Sequence, residues 1–366
     1  MEYRAIGLMS GSSLDGLDIA FVVFNETGRK WTFNTEAAEC LAYPAEWVEK
    51  LKNAVNLNAR DYLELHAAYG HFIGEQVNKF IEQHHLQHRV QIIGSHGHTT
   101  FHYPQSGMTG QLGNGAAIAA QTGINTVSDL RDMDVALGGQ GAPIVPIGEK
   151  LLFGEYPLLL NLGGIANISA SLPGGYIAYD ICPANRVLNM LAAEKGLEYD
   201  RDGAIAAAGM VRDEALSALN QLAYYSEPFP KSLDNGFGIE TVYPLLKKFN
   251  LSNQDAMRTM AEHICIQIMR NSGRLASKIT SETTKKMLVT GGGALNTFLV
   301  EKLRHSLLPL GIELIIPDTK TINYKEAIVM ALLGVLRWRE ENTVFHTVTG
   351  ATRSSIGGAV WIGQEA

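Results

Sequence analysis

Two apolar runs, Ile6 to Met9 and Ile19 to Phe24, flank a cluster of small and hydroxyl residues, Ser10-Gly11-Ser12-Ser13, and together predict a β-hairpin. Residues 31–42 alternate as a third strand. Residues 44–57 and 59–87 carry helical spacing, with Tyr62, Leu65, His66, Tyr69, Phe72, Ile73, Val77, Phe80 and Ile81 on one face. Val90 to Ile93 predicts a short buried strand, with Gly94 to His98 as the loop at its C-terminal end, where open α/β sheets place ligands. Residues 109–114 make another short strand and turn. An alanine-rich helix over 115–122 leads to a strand from Ile124 to Ser128, and then to Asp129-Leu130-Arg131-Asp132 and the glycine-rich segment LGGQGAPIVP.

The plan then repeats. Leu158 to Leu160, a turn with Gly163-Gly164 and Asn167, and a further apolar run form a second glycine hairpin about 150 residues after the first, which points to duplicated halves. The third strand of this half carries Asp180 at its end, before Pro183, with Asn185 leading into a helix. Residues 227–238, EPFPKSLDNGFG, have the Pro, Gly and polar content of a long irregular loop, a candidate lid or substrate rim. A long helix over 252–279 buries Met257, Met260, Ile264, Ile268 and Leu275, and residues 287–307 read as strand, triple-glycine turn and helix. After a strand at Ile312 to Ile316 comes a helix over 323–340 with Glu326 in its first turn, favourably placed against the helix dipole. The tail turns at Thr347 to Ala351 and ends in a short apolar strand that rejoins the first domain.

With 366 residues, 46% of them hydrophobic and 18% charged, the chain is long enough for two globular domains. We expect one domain from residues 1–128 plus 345–366 and another from 129–344. A net charge of −7 without a basic stripe argues against a nucleic-acid partner. No apolar run is long enough to span a bilayer, which argues against a membrane partner. Cys40, Cys182 and Cys265 are odd in number and widely spaced, which suits a reducing compartment, and the N-terminus lacks the charge and apolar pattern of a secretory signal, so the expected location is cytoplasmic.

Candidate chemistry gathers at the turns. Small residues from Gly11 onward let backbone N–H groups approach an anion, and Asp15 and Asp18 follow as carboxylates suited to a nucleotide carrying Mg²⁺; the alternative is an ordinary Gly/Ser turn with solvated acids. His96, His98 and His102 are closely spaced imidazoles of the type that binds metal. His96 and His98 point to opposite sides of an extended segment, however, and no nearby Cys or Glu completes a set, so substrate hydrogen bonding by Ser95 and His96 is the favoured role. Arg131 could clamp a carboxylate through two parallel bonds or sit in a surface ion pair. Asp180 is placed to take a proton from a substrate hydroxyl, or simply to form a turn. Gly291, Gly292 and Gly293 precede a helix, where amides and bare backbone accept phosphate or nucleoside. Neither the P-loop nor the dinucleotide fingerprint is present.

The blocks GLMSGSSLDGLD, IGSHGHTTFH, QLGN, DLRDMDVALGGQGAPIVP, NLGGIANIS, YDICPANRVLN, VTGGGALN and VTGA occur in an order and spacing that resemble the anhydro-N-acetylmuramic acid kinase family, over about residues 6 to 360. The resemblance implies an α/β chain with the two-domain actin-like ATPase fold, a duplicated ribonuclease H-like arrangement with an interdomain cleft. It implies ATP and Mg²⁺ as cofactors, an anhydrosugar as small-molecule substrate and a homodimer. The implied reaction converts 1,6-anhydro-N-acetylmuramic acid, ATP and water into N-acetylmuramic acid 6-phosphate and ADP. Carried over by residue, Asp180 is the general base that activates water. Gly11, Ser12, Ser13, Leu14, Asp15, Gly16, Leu17 and Asp18 hold phosphates and, through Asp15 and Asp18, the metal; Gly163 and Gly164 hold the second phosphate side, and Gly291 to Gly293 the nucleoside. Ser95, His96, Gln111, Asn114, Arg131 and Glu326 are expected to contact substrate. The chain departs from the family's commonest pattern where Asp180-Ile181-Cys182-Pro183-Ala184-Asn185 replaces Asp-x-Gly-Pro-Gly-Asn, where Ser12 stands for threonine, and where KSLDNGFG replaces KS-x-G-R-E. These departures leave a related anhydrosugar as an alternative substrate. An actin-like ATP-binding module and a hydrolase with metal on the three histidines are the competing functions.

Overall fold

In the computed structural model, which describes residues 1–11, 14–229, 231–234, 236–279 and 284–364, the chain divides into two units. The first contains Met1–Phe153 and Tyr324–Ala366. Its β1 (Glu2–Ser10) and β2 (Gly16–Thr27) pair antiparallel with Ser10 opposite Leu17, and β3 (Lys30–Ala42) adds to the outer edge of β2. Every residue from Ile19 to Phe24 is buried, which explains why that strand reads as one apolar run rather than as an alternation. The helix Ala59–Gln83, capped by the Asn58 side chain on Asp61 N–H, buries Leu65, Tyr69, Ile73, Val77 and Phe80 as its spacing predicts. The chain returns in β4 (Ile92–Tyr103), parallel to β1; β5 (Met108–Leu112) folds back on β4, and β6 (Asn125–Ser128) lies parallel to β4 on its other side.

The second unit, Gly154–Asn323, repeats the scheme. Here β7 (Leu158–Leu162), β8 (Ile165–Leu172) and β9 (Gly175–Pro183) form the antiparallel trio, and β10 (Lys285–Thr290) and β11 (Ile312–Ile315) follow parallel to β7 and to one another. The orders β3-β2-β1-β4-β6 and β9-β8-β7-β10-β11 match strand for strand, the duplicated ribonuclease H-like order of the actin-like folds. In the first unit the last strand, β12 (Ala359–Trp361), extends the sheet by pairing antiparallel with β6. Each unit has its own core: Phe21, Tyr69, Ile73 and Phe80 in the first, Leu160, Met257, Ile264 and Leu303 in the second.

The unit boundaries differ from those expected at 128/129 and 344/345. Residues 129–153 stay with the first unit because buried Asp134 accepts hydrogen bonds from Thr349 Oγ1 (2.7 Å) and Gly141 N–H (2.8 Å), and Gln140 N–H donates to the Thr349 carbonyl (2.9 Å). A buried ion pair, Lys325 Nζ to Glu149 Oε1 at 2.8 Å, adds to this. Residues 324–338 stay because their helix lies on β1 and β4 at backbone contact: a Cβ at Gly7 would fall 1.8 Å from the Ala327 carbonyl oxygen, and one at Gly94 would fall 2.0 Å from that of Met330. That helix spans Thr319–Trp338, with Asp318 accepting from Thr321 N–H (3.1 Å) at its start, so Glu326 sits two turns in rather than in the first turn and gains nothing from the dipole. The stretch Gly94 to His98 is likewise strand and not loop, because β1 pairs with it through Gly94, Ser95 and His98.

The glycine contacts yield a stability prediction. Gly94→Ala forces a methyl into the Met330 carbonyl, and we expect a loss of about 1–3 kcal/mol. Gly174→Ala, whose Cβ meets nothing within 4 Å, should leave the midpoint unchanged. Urea unfolding of both variants beside the parent checks the contrast.

Candidate active site

In the second unit, three segments from different parts of the sequence meet at the C-terminal ends of β7 and β10. The Gly163 carbonyl accepts from Asn185 N–H (3.1 Å), and the Gly164 carbonyl from Ala184 N–H (2.8 Å) and Arg186 N–H (3.2 Å). Asn185 Nδ2 donates to the Leu162 carbonyl at 2.8 Å. Gly291, at φ 81°, passes so close that a Cβ would lie 2.7 Å from Asn161 Oδ1, and one on Gly293 would lie 2.7 Å from Leu162 Cβ. The structure thus brings Gly163, Gly164 and Gly291–Gly293 together around the turn that follows β7, a surface of bare backbone in which a side chain at Gly291 or Gly293 would not fit.

Asp180 lies within β9, opposite Asn167 beside a bulge at Ala166, and not at the strand end, because β9 continues to Pro183. Its Oδ2 accepts from Leu233 N–H (2.9 Å) and from Ser232 Oγ (3.3 Å). Its backbone is gripped as well: its N–H donates to the Lys231 carbonyl (3.0 Å) and its carbonyl accepts from Tyr224 Oη (2.7 Å). Burial raises the Asp180 carboxyl above the usual carboxylate range, and the Leu233 and Ser232 bonds hold it back. Among the described residues Oδ1 has no protein donor, so one oxygen is fixed and the other is available to accept a proton. The segment expected to be only a lid or rim is, at residues 231–233, the mount of this carboxylate.

In the first unit the notable side chains stand on β1, β2, β4 and β5. Tyr43 Oη donates to Ser10 Oγ (2.8 Å), so Tyr69 Oη must donate to Tyr43 (2.6 Å), and Ser10 Oγ also meets His98 Nδ1 (3.2 Å). Arg131 Nε donates to His96 Nε2 at 2.9 Å, which fixes the Nδ1–H tautomer, and that N–H donates to the Gly97 carbonyl (2.8 Å). Burial, and then the Arg131 charge, push His96 down to about 3, so it stays neutral. Arg131 also donates through Nη1 to the Gly141 carbonyl (3.1 Å). Two polar atoms of this unit, Ser95 Oγ and Gln111 Oε1, are buried without a partner, the condition of groups that await a ligand. Asn114, by contrast, spends its side-chain oxygen capping the helix Gly115–Thr122 through Ala117 N–H (2.9 Å).

Asp18 lies opposite Cys40 across β2 and β3. Its carboxyl is pushed up to about 6 by burial and by the Asp15 and Glu326 carboxylates, while the Cys40 thiol hydrogen bond opposes the rise. Crowded acids of this kind fit a divalent cation, and the sparse protein donor set suits Mg²⁺, which keeps waters and phosphate oxygens in its shell. Among the described residues no three His, Cys, Asp or Glu side chains are arranged to hold a metal. His102 is not grouped with the other two imidazoles: its Nδ1 pairs with Thr109 Oγ1 (3.1 Å). Of the expected phosphate segment, Gly16, Leu17 and Asp18 belong to β2, the Leu17 side chain is part of the core, and Leu14 has φ 57°. Ser12 and Ser13 lie outside the described residues.

Sequence reasoning missed Tyr224, Ser232 and Leu233, whose tie to Asp180 crosses about 50 positions, and Arg186, a single charge in an otherwise apolar helix pattern. The run KSL directly after a proline-rich turn was the one local signal.

The family profile of anhydro-N-acetylmuramic acid kinase matches residues 3–363. The chain is 33% identical over 372 residues to the anhydro-N-acetylmuramic acid kinase of Aliivibrio fischeri, covering 98% of this chain and 99% of that one. It is 34% identical over 374 residues to the protein of the same name from a Sulfurovum species, with 98% and 99% covered. Among solved structures, Schistosoma mansoni hexokinase complexed with glucose aligns over 90% of this chain and 85% of its own, at 10% identity and a TM-score of 0.38.

The turn after β7 generates a prediction that separates binding from folding. A Cβ at Gly164 would lie 3.6 Å from Arg186 Nε, an ordinary contact, so Gly164→Ala should fold and melt like the parent. If phosphate approaches that backbone, the same methyl raises the KM for nucleotide several-fold, which initial-rate kinetics and a thermal melt together will read.

Proposed function

The chain belongs to the anhydro-N-acetylmuramic acid kinase family, ATP-dependent kinases of cell-wall sugar recycling, and we propose that it opens 1,6-anhydro-N-acetylmuramic acid with Asp180 as the base. The observation that carries the assignment is the Asp180 carboxylate, buried, clamped through one oxygen and open at the other. Water, relieved of a proton by Asp180, attacks the anomeric carbon. The C1–O6 bond breaks, O6 takes the γ-phosphoryl group, and ADP leaves, giving N-acetylmuramic acid 6-phosphate. Phosphoryl transfer asks mainly for positioning and charge neutralisation from the protein.

In this reading the turn at Gly163–Gly164 and the backbone of Gly291–Gly293 receive nucleotide, and the segment from Gly11 to Asp18 receives phosphate. Asp15 and Asp18 would hold Mg²⁺, which neutralises phosphate charge when bound. The orphaned Ser95 Oγ and Gln111 Oε1 support substrate hydrogen bonding in the first unit. Arg131 keeps Nη2 uncommitted among the described residues, and it is assigned to the lactyl carboxylate of the sugar. His96 then acts through Arg131, by accepting its Nε–H, and Glu326 is assigned to the sugar. The reading extends to a cytoplasmic homodimer; the free Cys40, Cys182 and Cys265 suit a reducing compartment.

Asp180→Asn keeps an acceptor for Leu233 N–H but cannot take a proton, so kcat should fall about 10²–10⁴-fold without loss of folding. A coupled ADP assay with and without the anhydrosugar checks it; undiminished turnover removes Asp180 from the mechanism, and ADP release indifferent to sugar favours an ATP-binding module. The pH dependence follows from the direction of the shift. Asp180 must be deprotonated to work, so kcat of the parent should fall as pH drops through a one-proton step lying above the usual carboxylate range, and a pH–rate profile reads that step.

A further inference from the structure

Arg186 is the second residue of the helix Asn185–Ala193, where the positive end of the helix dipole makes a cation unfavourable. No carboxylate, carbonyl or aromatic ring among the described residues pairs with its guanidinium, and its Nε is buried without a hydrogen-bond partner. The other guanidinium with a buried, unpartnered Nε, that of Arg258, has a ring to rest on, Phe298 at 4.9 Å. Arg186 has none. Its side chain instead lies across the Gly163–Gly164 turn: a Cβ built on Gly164 would be 3.6 Å from Nε and 3.9 Å from Nη2. Its backbone N–H is tied to the Gly164 carbonyl, which fixes the base of the side chain at the turn.

A half-buried cation without a protein partner at the unfavourable end of a helix dipole gains from a counter-charge, and the surface beside it is open glycine backbone. We propose that Arg186 binds the polyphosphate of the nucleotide at the Gly163–Gly164 turn and is a determinant of affinity for di- and triphosphates. The inference rests on the assignment of that turn to nucleotide phosphates. The planar guanidinium offers parallel N–H donors to phosphate oxygens, a geometry that lysine reproduces only as a point charge.

The test uses the full chain and three variants, Arg186→Met, Arg186→Lys and Gly164→Ala, with calorimetric titration of ADP and initial-rate kinetics in both substrates. Arg186→Met, which keeps the apolar stem, should weaken ADP and raise the KM for ATP on the order of tenfold, with the KM for the anhydrosugar unchanged. Arg186→Lys should recover part of the loss, and raising the salt concentration should weaken ADP less in Arg186→Met than in the parent. If Arg186→Met misfolds, the lysine variant still decides, since a phosphate contact predicts an ATP-selective loss. The proposal is overturned if both arginine variants bind ADP as the parent does, or if both substrates lose equally, as a structural role would require. ADP weakened by Gly164→Ala alone sinks Arg186 and leaves the turn assigned; ADP indifferent to every variant sinks the turn assignment as well.

Discussion

In each unit the strand that opens the hairpin, β1 or β7, is hydrogen-bonded on both edges: antiparallel to its hairpin partner on one side, parallel to a strand from far along the chain on the other. In the second unit that parallel neighbour ends level with it, Thr290 opposite Asn161. The constraint therefore brings the end of β10 beside the turn after β7, which is why residues 291–293 meet residues 161–164. The same pairing sets Ser95 opposite Leu8 and His98 opposite Ser10. Most of the chemistry described above depends on that shared edge, and the helices serve mainly to keep both strands buried.

Electrostatics divides the labour among the acids. Asp180 is raised chiefly by burial and lowered by two hydrogen bonds, so its basicity is set by burial against the Leu233 N–H and the Ser232 hydroxyl. Asp18 is raised by burial and by other carboxylates, an arrangement that a cation would relieve. One environment suits proton transfer and the other suits metal-bound phosphate. Arg131 and His96 form a third kind of pair, in which a cation is steadied by a neutral imidazole, and among the described residues no carboxylate is hydrogen-bonded to the guanidinium.

Much of this was legible in the sequence because it is local. The helix Gly115–Thr122 follows its alanine run to the residue, and both hairpins declare themselves through apolar runs around glycine. What could not be read was non-local. Gly94 to His98 is strand because the distant β1 pairs with it, a partner that the histidine-rich pattern does not announce. The start of the helix at Thr319 depends on an aspartate cap that lay outside the apolar window, and the unit boundaries on Asp134 reaching a threonine 215 positions away. The mount of Asp180 was invisible for the same reason.

The hydroxyl chain from Tyr69 through Tyr43 to Ser10 has one direction only, since each phenol has a single proton to give. Ser10 Oγ, with one proton and two lone pairs, can meet His98 Nδ1 in either tautomer. Polarity chosen deep in the helix layer thus travels as far as the serine, and the imidazole beyond it can offer an incoming atom either a proton or a lone pair.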